Sequence, residues 1–259
     1  MQRVLTMCIL LAALLTLGLL SMPAFAQTNK VVYLPLVMKG GAAPAPLPTT
    51  TAGPIPTNTP VPMTPVPTSA PSEVKILSSS SYVDSEGYLW IVGEVQNDTS
   101  QNVEFVEIVA SLFDGDTLLV TESTYTDLRI LRPGQRAPFS VLVATPPSGY
   151  DRYTLQVDWD TTTDQPPDGI TILSHRSRAG SSPGSRLLEG EVRNDSGGPL
   201  ESVEIVATMY NSAGIVVAVE SGLTSSDPLA ARQTSPFEIV VNQWNNAARY
   251  ELQIQALRP

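Results

Sequence analysis

Few residues in this 259-residue chain have the types and spacing that chemistry needs. The single histidine, His175, is the one side chain that ordinarily exchanges a proton near neutral pH. A nucleophilic triad sets such a base beside a serine or cysteine. Nothing in the sequence marks a nucleophile for His175, which reads as a passive residue at the end of a strand. Hydrolysis by paired carboxylates has more raw material among the 25 acidic residues. Glu94 and Glu107 recur as Glu191 and Glu204, but all four sit on the polar phase of alternating segments. That is the place of a solvated sheet face, with cross-strand arginines as partners. No catalytic residue is assigned, and the chain is expected not to be an enzyme.

Metal and ligand chemistry offer two further sets. Asp158, Asp160, Asp164 and Asp168 gather where one half of the chain hands over to the other. Calcium takes six to eight oxygens and often stiffens such junctions, so these four are calcium candidates; with Pro166-Pro167 among them, the plain alternative is a solvated acidic linker. Asp114-Gly115-Asp116 carries less, because its counterpart Asn211-Ser212-Ala213 has no carboxylate. One cysteine and one histidine build neither a zinc site nor a disulfide framework, and no cofactor is implied. Exposed aromatics stack on sugar rings. Trp90, Trp159, Trp244, Tyr125 and Tyr150 are the aromatics to consider, and Trp244, in the loop Asn242–Asn246, is the ligand-binding candidate. Aromatics at sandwich corners more often cover a core edge. Asn97-Asp98-Thr99 and Asn194-Asp195-Ser196 match the N-glycosylation pattern but read first as turns.

The elements that position these residues begin with an address. Arg3, an apolar run over Val4–Leu20 and Ala24-Phe25-Ala26 form a cleavable secretory leader over residues 1–26, with an uncleaved anchor as the alternative. Its removal takes Cys8 and moves the formal charge from −10 to −11. No later stretch has spanning length. The segment 27–43 holds the apolar island Val31–Lys39. Residues 44–72 form a disordered linker, with ten prolines among the 28 residues from Pro44 to Pro71. That composition favours extended polyproline II and a spacing role, reaching on the order of 80 Å. Fifteen basic residues, only three of them lysine, argue against a nucleic-acid partner.

The rest repeats itself. Gly93-Glu94-Val95-Gln96-Asn97-Asp98-Thr99 returns 97 residues later as Gly190-Glu191-Val192-Arg193-Asn194-Asp195-Ser196. Val106–Ala110 returns as Val203–Ala207, Pro138-Phe139 as Pro236-Phe237, and Tyr153 as Tyr250. A period near 97 residues suits tandem domains rather than a solenoid. In each copy, apolar positions recur every second residue (Val106, Ile108, Ala110, Leu112; Val203, Ile205, Ala207, Met209), which predicts strands with one buried face. Turn residues punctuate six or seven short strands per copy. The expected fold is all-β: two tandem antiparallel immunoglobulin-like β-sandwiches, at 73–160 and 169–257, joined by an acidic Pro-containing linker at 161–168.

"GEVQNDTSQNVEFVEIVASLFD" and "GEVRNDSGGPLESVEIVATMYN" resemble the FxLyD domain, a bacterial and archaeal module, over most of both copies. The second copy departs from its pattern at Leu229-Ala230-Ala231-Arg232, where the first has Leu131-Arg132-Pro133-Gly134. The resemblance implies an extracellular or envelope β-sandwich with no catalytic residues to carry over. "YLPLV" at Tyr33–Val37 resembles a segment of secreted proteins from Chloroflexus-type bacteria. The functional expectation is a secreted or cell-surface scaffold, adhesion or protein-interaction module. The alternative is a carbohydrate-binding module for wall or extracellular polysaccharide.

Overall fold

The computed structural model describes residues 73–257 except 245. The leader, the 27–43 segment and the Pro/Thr-rich linker lie outside the described residues, as do the expectations for them. Every regular element described is a strand. The first copy contains β1 (Val74–Val83), β2 (Leu89–Asn97), β3 (Asn102–Asp114), β4 (Thr117–Tyr125), β5 (Ile130–Leu131), β6 (Arg136–Val143) and β7 (Arg152–Thr162). The second contains β8 (Ile170–Ala179), β9 (Arg186–Asn194), β10 (Glu201–Tyr210), β11 (Val216–Leu223), β12 (Thr234–Val241) and β13 (Arg249–Leu257).

Each copy is a sandwich of two antiparallel sheets. In the first, β1-β2-β6 faces β3, which pairs with β4, β5 and β7. In the second, β8-β9-β12 faces β11-β10-β13. The place of β5 is taken there by a single bridge, Leu200 to Leu229. The alternation that predicts strands also selects the inner face. Val106, Ile108, Ala110 and Leu112 are buried from β3, and Val203, Ile205, Ala207 and Met209 from β10. No helix among the described residues is long and apolar enough to cross a membrane.

Irregularities recur with the repeat as faithfully as the strands. Both copies slip register after the first apolar pair of their first strand (Ile76/Ser78, Ile172/Ser174). Both slip again near the start of the third (Glu104/Glu107, Glu201/Glu204) and at its end against the fourth (Leu112/Phe113, Met209/Tyr210). The extra residue at the middle bulge has a positive φ in each copy, 50° at Phe105 and 48° at Ser202. Such bulges re-aim side chains and sharpen twist; here they aim Phe105 outward, where it is 57% exposed. β7 continues through Thr162, into the stretch expected as linker. The following residues are tied to the first copy: Asn102 Nδ2 donates to Asp164 O at 2.8 Å, Arg132 donates to Pro166 O at 3.3 Å and also pairs with Asp168.

Candidate functional site

The repeated motif Gly-Glu-Val-x-Asn-Asp-Ser/Thr is a structural device. Asn97 has no solvent exposure. Its Nδ2 donates to Gln101 O and Leu131 O, and its Oδ1 accepts from the Thr99 N–H and hydroxyl. Asn194 repeats the set with Gly198, Leu229 and Ser196. The asparagines that match the glycosylation pattern are thus buried and committed to loop closure. The leading glycine is needed by the repeated Phe. A Cβ at Gly93 would stand 2.4 Å from Phe139 Cζ and 2.5 Å from Ser78 O, and one at Gly190 2.2 Å from Ser174 O.

The four repeated glutamates do not share one environment. Glu191 is solvent-facing, but Glu94 is only 4% exposed, which corrects its reading as part of a solvated face. The reason is that the second copy packs on the first. Val206, Tyr210, Val216 and Val219 join the core built around the β1-β2-β6 sheet, whose outer-face residue Val92 is fully buried. Tyr210 Oη donates to Glu94 Oε1 at 2.6 Å, and Arg136 lies 3.5 Å from the same carboxylate. Arg249 covers the Tyr210 ring at 3.9 Å. Burial, with the acceptor carboxylate beside it, pushes the Tyr210 phenol well above its ordinary range. Backbone contacts complete the seam: Ser80 Oγ donates to Val216 O at 2.6 Å and Gln253 Nε2 to Arg136 O at 2.8 Å, while the Arg129 N–H donates to Gln255 Oε1 at 3.0 Å. β10 is therefore buried on both faces, a correction to the one buried face expected from its alternation.

Carboxylates crowd one end of this seam. Glu204 accepts from Ser221 Oγ at 2.7 Å and from Gln255 Nε2 at 2.8 Å. Asp127 has one buried oxygen, Oδ2, without a hydrogen-bond partner. Desolvation, then the charge of Glu204, pushes Asp127 up to about 7. Desolvation likewise pushes Glu220 up to about 7, and burial with Glu220 nearby pushes the Tyr82 phenol up to about 12.

The first copy has a counterpart of the face that the second uses for docking, and there it is open. Cross-strand pairing matches Phe113, Ser111, Val109 and Glu107 with Tyr210, Thr208, Val206 and Glu204. Leu118 stands where Val216 stands, and Tyr125 where Leu223 stands. Leu118 is 54% exposed against 0% for Val216, whereas Leu223 at the other end of its strand is as exposed as Tyr125, so docking covers the Val216 end of the face. Phe105 and Tyr125, each 57% exposed, meet edge-to-face with ring centroids 6.4 Å apart. Arg152 lies over Phe113 at 4.3 Å. Phe105 and Leu118 were not singled out in the sequence. Their signal lies in comparing the copies: the apolar run Leu89-Trp90-Ile91-Val92 in β2 exceeds what one buried face needs, which points to a covered sheet and hence to a docking face on its partner.

The remaining candidates lie apart. His175 Nδ1 is 2.8 Å from Tyr250 Oη, where the first copy joins Ser79 and Tyr153 hydroxyls at 3.1 Å, so its partner is a phenol. Trp244 packs against the second core, edge-to-face with Tyr250 and under Arg186 at 5.3 Å. Trp90, Trp159 and Tyr150 pack on the first core, and Trp90 donates to Asp84 at 2.8 Å. Of the five aromatics considered for stacking, Tyr125 is the exposed one. Asp158 and Asp160 lie on β7, Asp164 and Asp168 beyond it. Among the described residues, no three acidic, histidine or cysteine side chains are grouped to hold a metal ion. Glu107 and Asp158 pair across β3 and β7 on the open face.

No protein-family model matches the chain, and no curated protein is similar to it. Among solved structures, an exo-β-D-glucosaminidase is similar over 69% of this chain and 25% of its own, at 13% identity and a TM-score of 0.25. A β-glucuronidase of glycoside hydrolase family 2 is similar over 66% and 24%, at 11% identity and 0.24. Bacteroides uniformis β-glucuronidase 2 is similar over 64% and 24%, at 12% identity and 0.20. The chain spans about a quarter of the length of these structures, and likeness at this level says nothing of what it does.

Proposed function

We propose that this chain is a secreted or cell-surface, non-catalytic interaction module of FxLyD type, acting as a scaffold or adhesin. In this reading residues 1–26 export it, the Pro/Thr-rich tract spaces it from its attachment, and the outer face of β3, β4 and β7 is its binding face. One observation carries the reading: Leu118 is 54% exposed where its counterpart Val216 is wholly buried by docking, and Phe105 and Tyr125 stand exposed on the same face. Exposed apolar side chains gathered on one face mark an interaction surface, here with Phe105 and Tyr125 at one end and Leu118 at the other, and aromatics are enriched at such surfaces.

The test is capture from the source organism's surface extract by the mature chain, before and after protease treatment of that extract. The expected result is capture that protease abolishes and that a Phe105→Ser/Tyr125→Ser variant lacks. Capture that survives protease would replace this reading with the carbohydrate-binding one. Capture unaffected by the double variant would move the binding face elsewhere.

A further inference from the structure

We propose that the open face of β3, β4 and β7 pairs with the same face of a second copy of this chain, about a two-fold axis lying between the two sheets and perpendicular to their strands. The proposal rests on reading that face as an interaction surface, and it names the partner. Within the chain the equivalent face, on β10, β11 and β13, already docks sheet against sheet. Continuing that head-to-tail mode between chains would need the outer face of β8, β9 and β12 as receptor, and its residues forbid it. Where the first copy has Val92, the second has Glu189, held by Arg176 and Arg178. Arg176 replaces Ser80, whose hydroxyl bonds across the seam. Phe113 also lacks the hydroxyl through which Tyr210 reaches Glu94. A charged outer face caps an array.

Charge selects the orientation of the remaining pairing. On β7 the outward residues run Arg152, Thr154, Gln156, Asp158, with Phe113 and Leu118 beside Arg152, and Glu107 and Tyr125 beside Asp158. An axis along the strands, over the central β3, would lay Glu107 of one copy on Glu107 of the other and set Arg152 and Asp158 against Leu118 and Tyr125, with no opposite charges meeting. The axis across the strands lays Arg152 on Asp158 twice, Leu118 on Tyr125 twice and Phe113 on Glu107 twice, with Arg152 over that Phe113 ring, and sets the neutral Val109, Ser111, Thr154 and Gln156 at the centre. Arg152 is anchored for this by Phe113 and by Asp116 at 3.5 Å. A symmetric contact of this kind closes at two copies. Three strands of about nine residues offer a footprint of roughly 400 Å² per partner, below that of stable specific interfaces and in the range of weak, transient ones, so the dimer is concentration-dependent, on the order of 10–100 µM.

Sedimentation equilibrium of the mature chain tests it with two charge reversals, Arg152→Asp and Asp158→Arg. The wild type is expected to dimerise across that range. Each reversal alone should weaken its own dimer on the order of 10–100-fold, and an equimolar mixture of the two should dimerise again, because every cross-copy pair is then opposite in sign. Residues 152 and 158 are six apart on one strand and cannot pair within a chain, so recovery reports contact between chains. A wild type still monomeric at about 500 µM, dimerisation insensitive to both reversals, or no recovery on mixing would each overturn the proposal. Loss of surface capture in Phe105→Ser/Tyr125→Ser alongside a monomeric wild type would overturn the dimer and leave the interaction face standing. Dimerisation with capture unchanged would do the reverse.

Discussion

Asn97 and Asn194 each make four hydrogen bonds from a position with no solvent exposure. An alanine at 97 leaves two backbone carbonyls and the Thr99 donors without their partner, so Asn97→Ala should cost about 2–4 kcal/mol in urea unfolding. Gly93→Ala should cost about as much or more, because a backbone oxygen and a packed ring both block the new methyl. The late turn offers the opposite sign. Arg232 has φ 65° and donates to Asn194 O, where Gly134 has φ 77° and donates to Asn97 O. The turn survives the loss of the Pro-Gly pair, but with strain that glycine does not bear. Arg232→Gly should stabilise the protein by about 0.5–1 kcal/mol, read as a higher Tm. These residues were legible as a repeated motif, because burial and tight approach demand particular residue types. Their role was not legible: the sequence shows Asn-Asp-Thr as a turn, and only the packing shows the asparagine beneath it.

At the scale of strands, alternation and turn residues predict six or seven strands per copy, and the structure has seven in the first and six in the second, since period-two burial leaves a period-two record. What alternation did not record is which outer face is covered. Val206, Thr208 and Tyr210 differ little in character from Val109, Ser111 and Phe113, yet the first set is buried and the second half-exposed. The difference lies in the partner sheet, through Val92 against Glu189 and Ser80 against Arg176. The Tyr210–Glu94 bond is the polar centre of that seam. Tyr210→Phe leaves the nearly buried Glu94 with Arg136 at 3.5 Å as its remaining partner, and should cost about 1–3 kcal/mol. Phe113→Tyr, its counterpart on the open face, should leave the Tm unchanged.

For the whole molecule, ionisation decides the optimum. The folded state holds Asp127 and Glu220 near 7, above their ordinary values of 3.8 and 4.5. It therefore binds more protons than the unfolded chain between about pH 4 and 7, and stability falls as pH rises through that window, then levels off. Asp84, Glu189 and Asp195 are held below their ordinary values, first by hydrogen bonds from Trp90, Arg178 and Arg193 respectively. Their contribution is lost as pH falls through the acid range. Stability should therefore peak at about pH 5, and Asp127→Asn should flatten the decline toward neutrality in a pH series of melting curves.

Two equivalent faces, one per copy, differ in being covered at Val216 and open at Leu118, and thiol reactivity reads the difference directly. The chain from Gln27 onward contains no cysteine, so Leu118→Cys and Val216→Cys each introduce one thiol at matched positions, 54% and 0% exposed as the native residues. At about 1 µM, below the range of any dimer, Leu118→Cys should react with a disulfide reagent at close to the rate of the unfolded chain. Val216→Cys should be on the order of 100-fold slower until the protein is unfolded. Equal rates at the two positions would contradict the docking of the second copy on the first and the open face inferred from it.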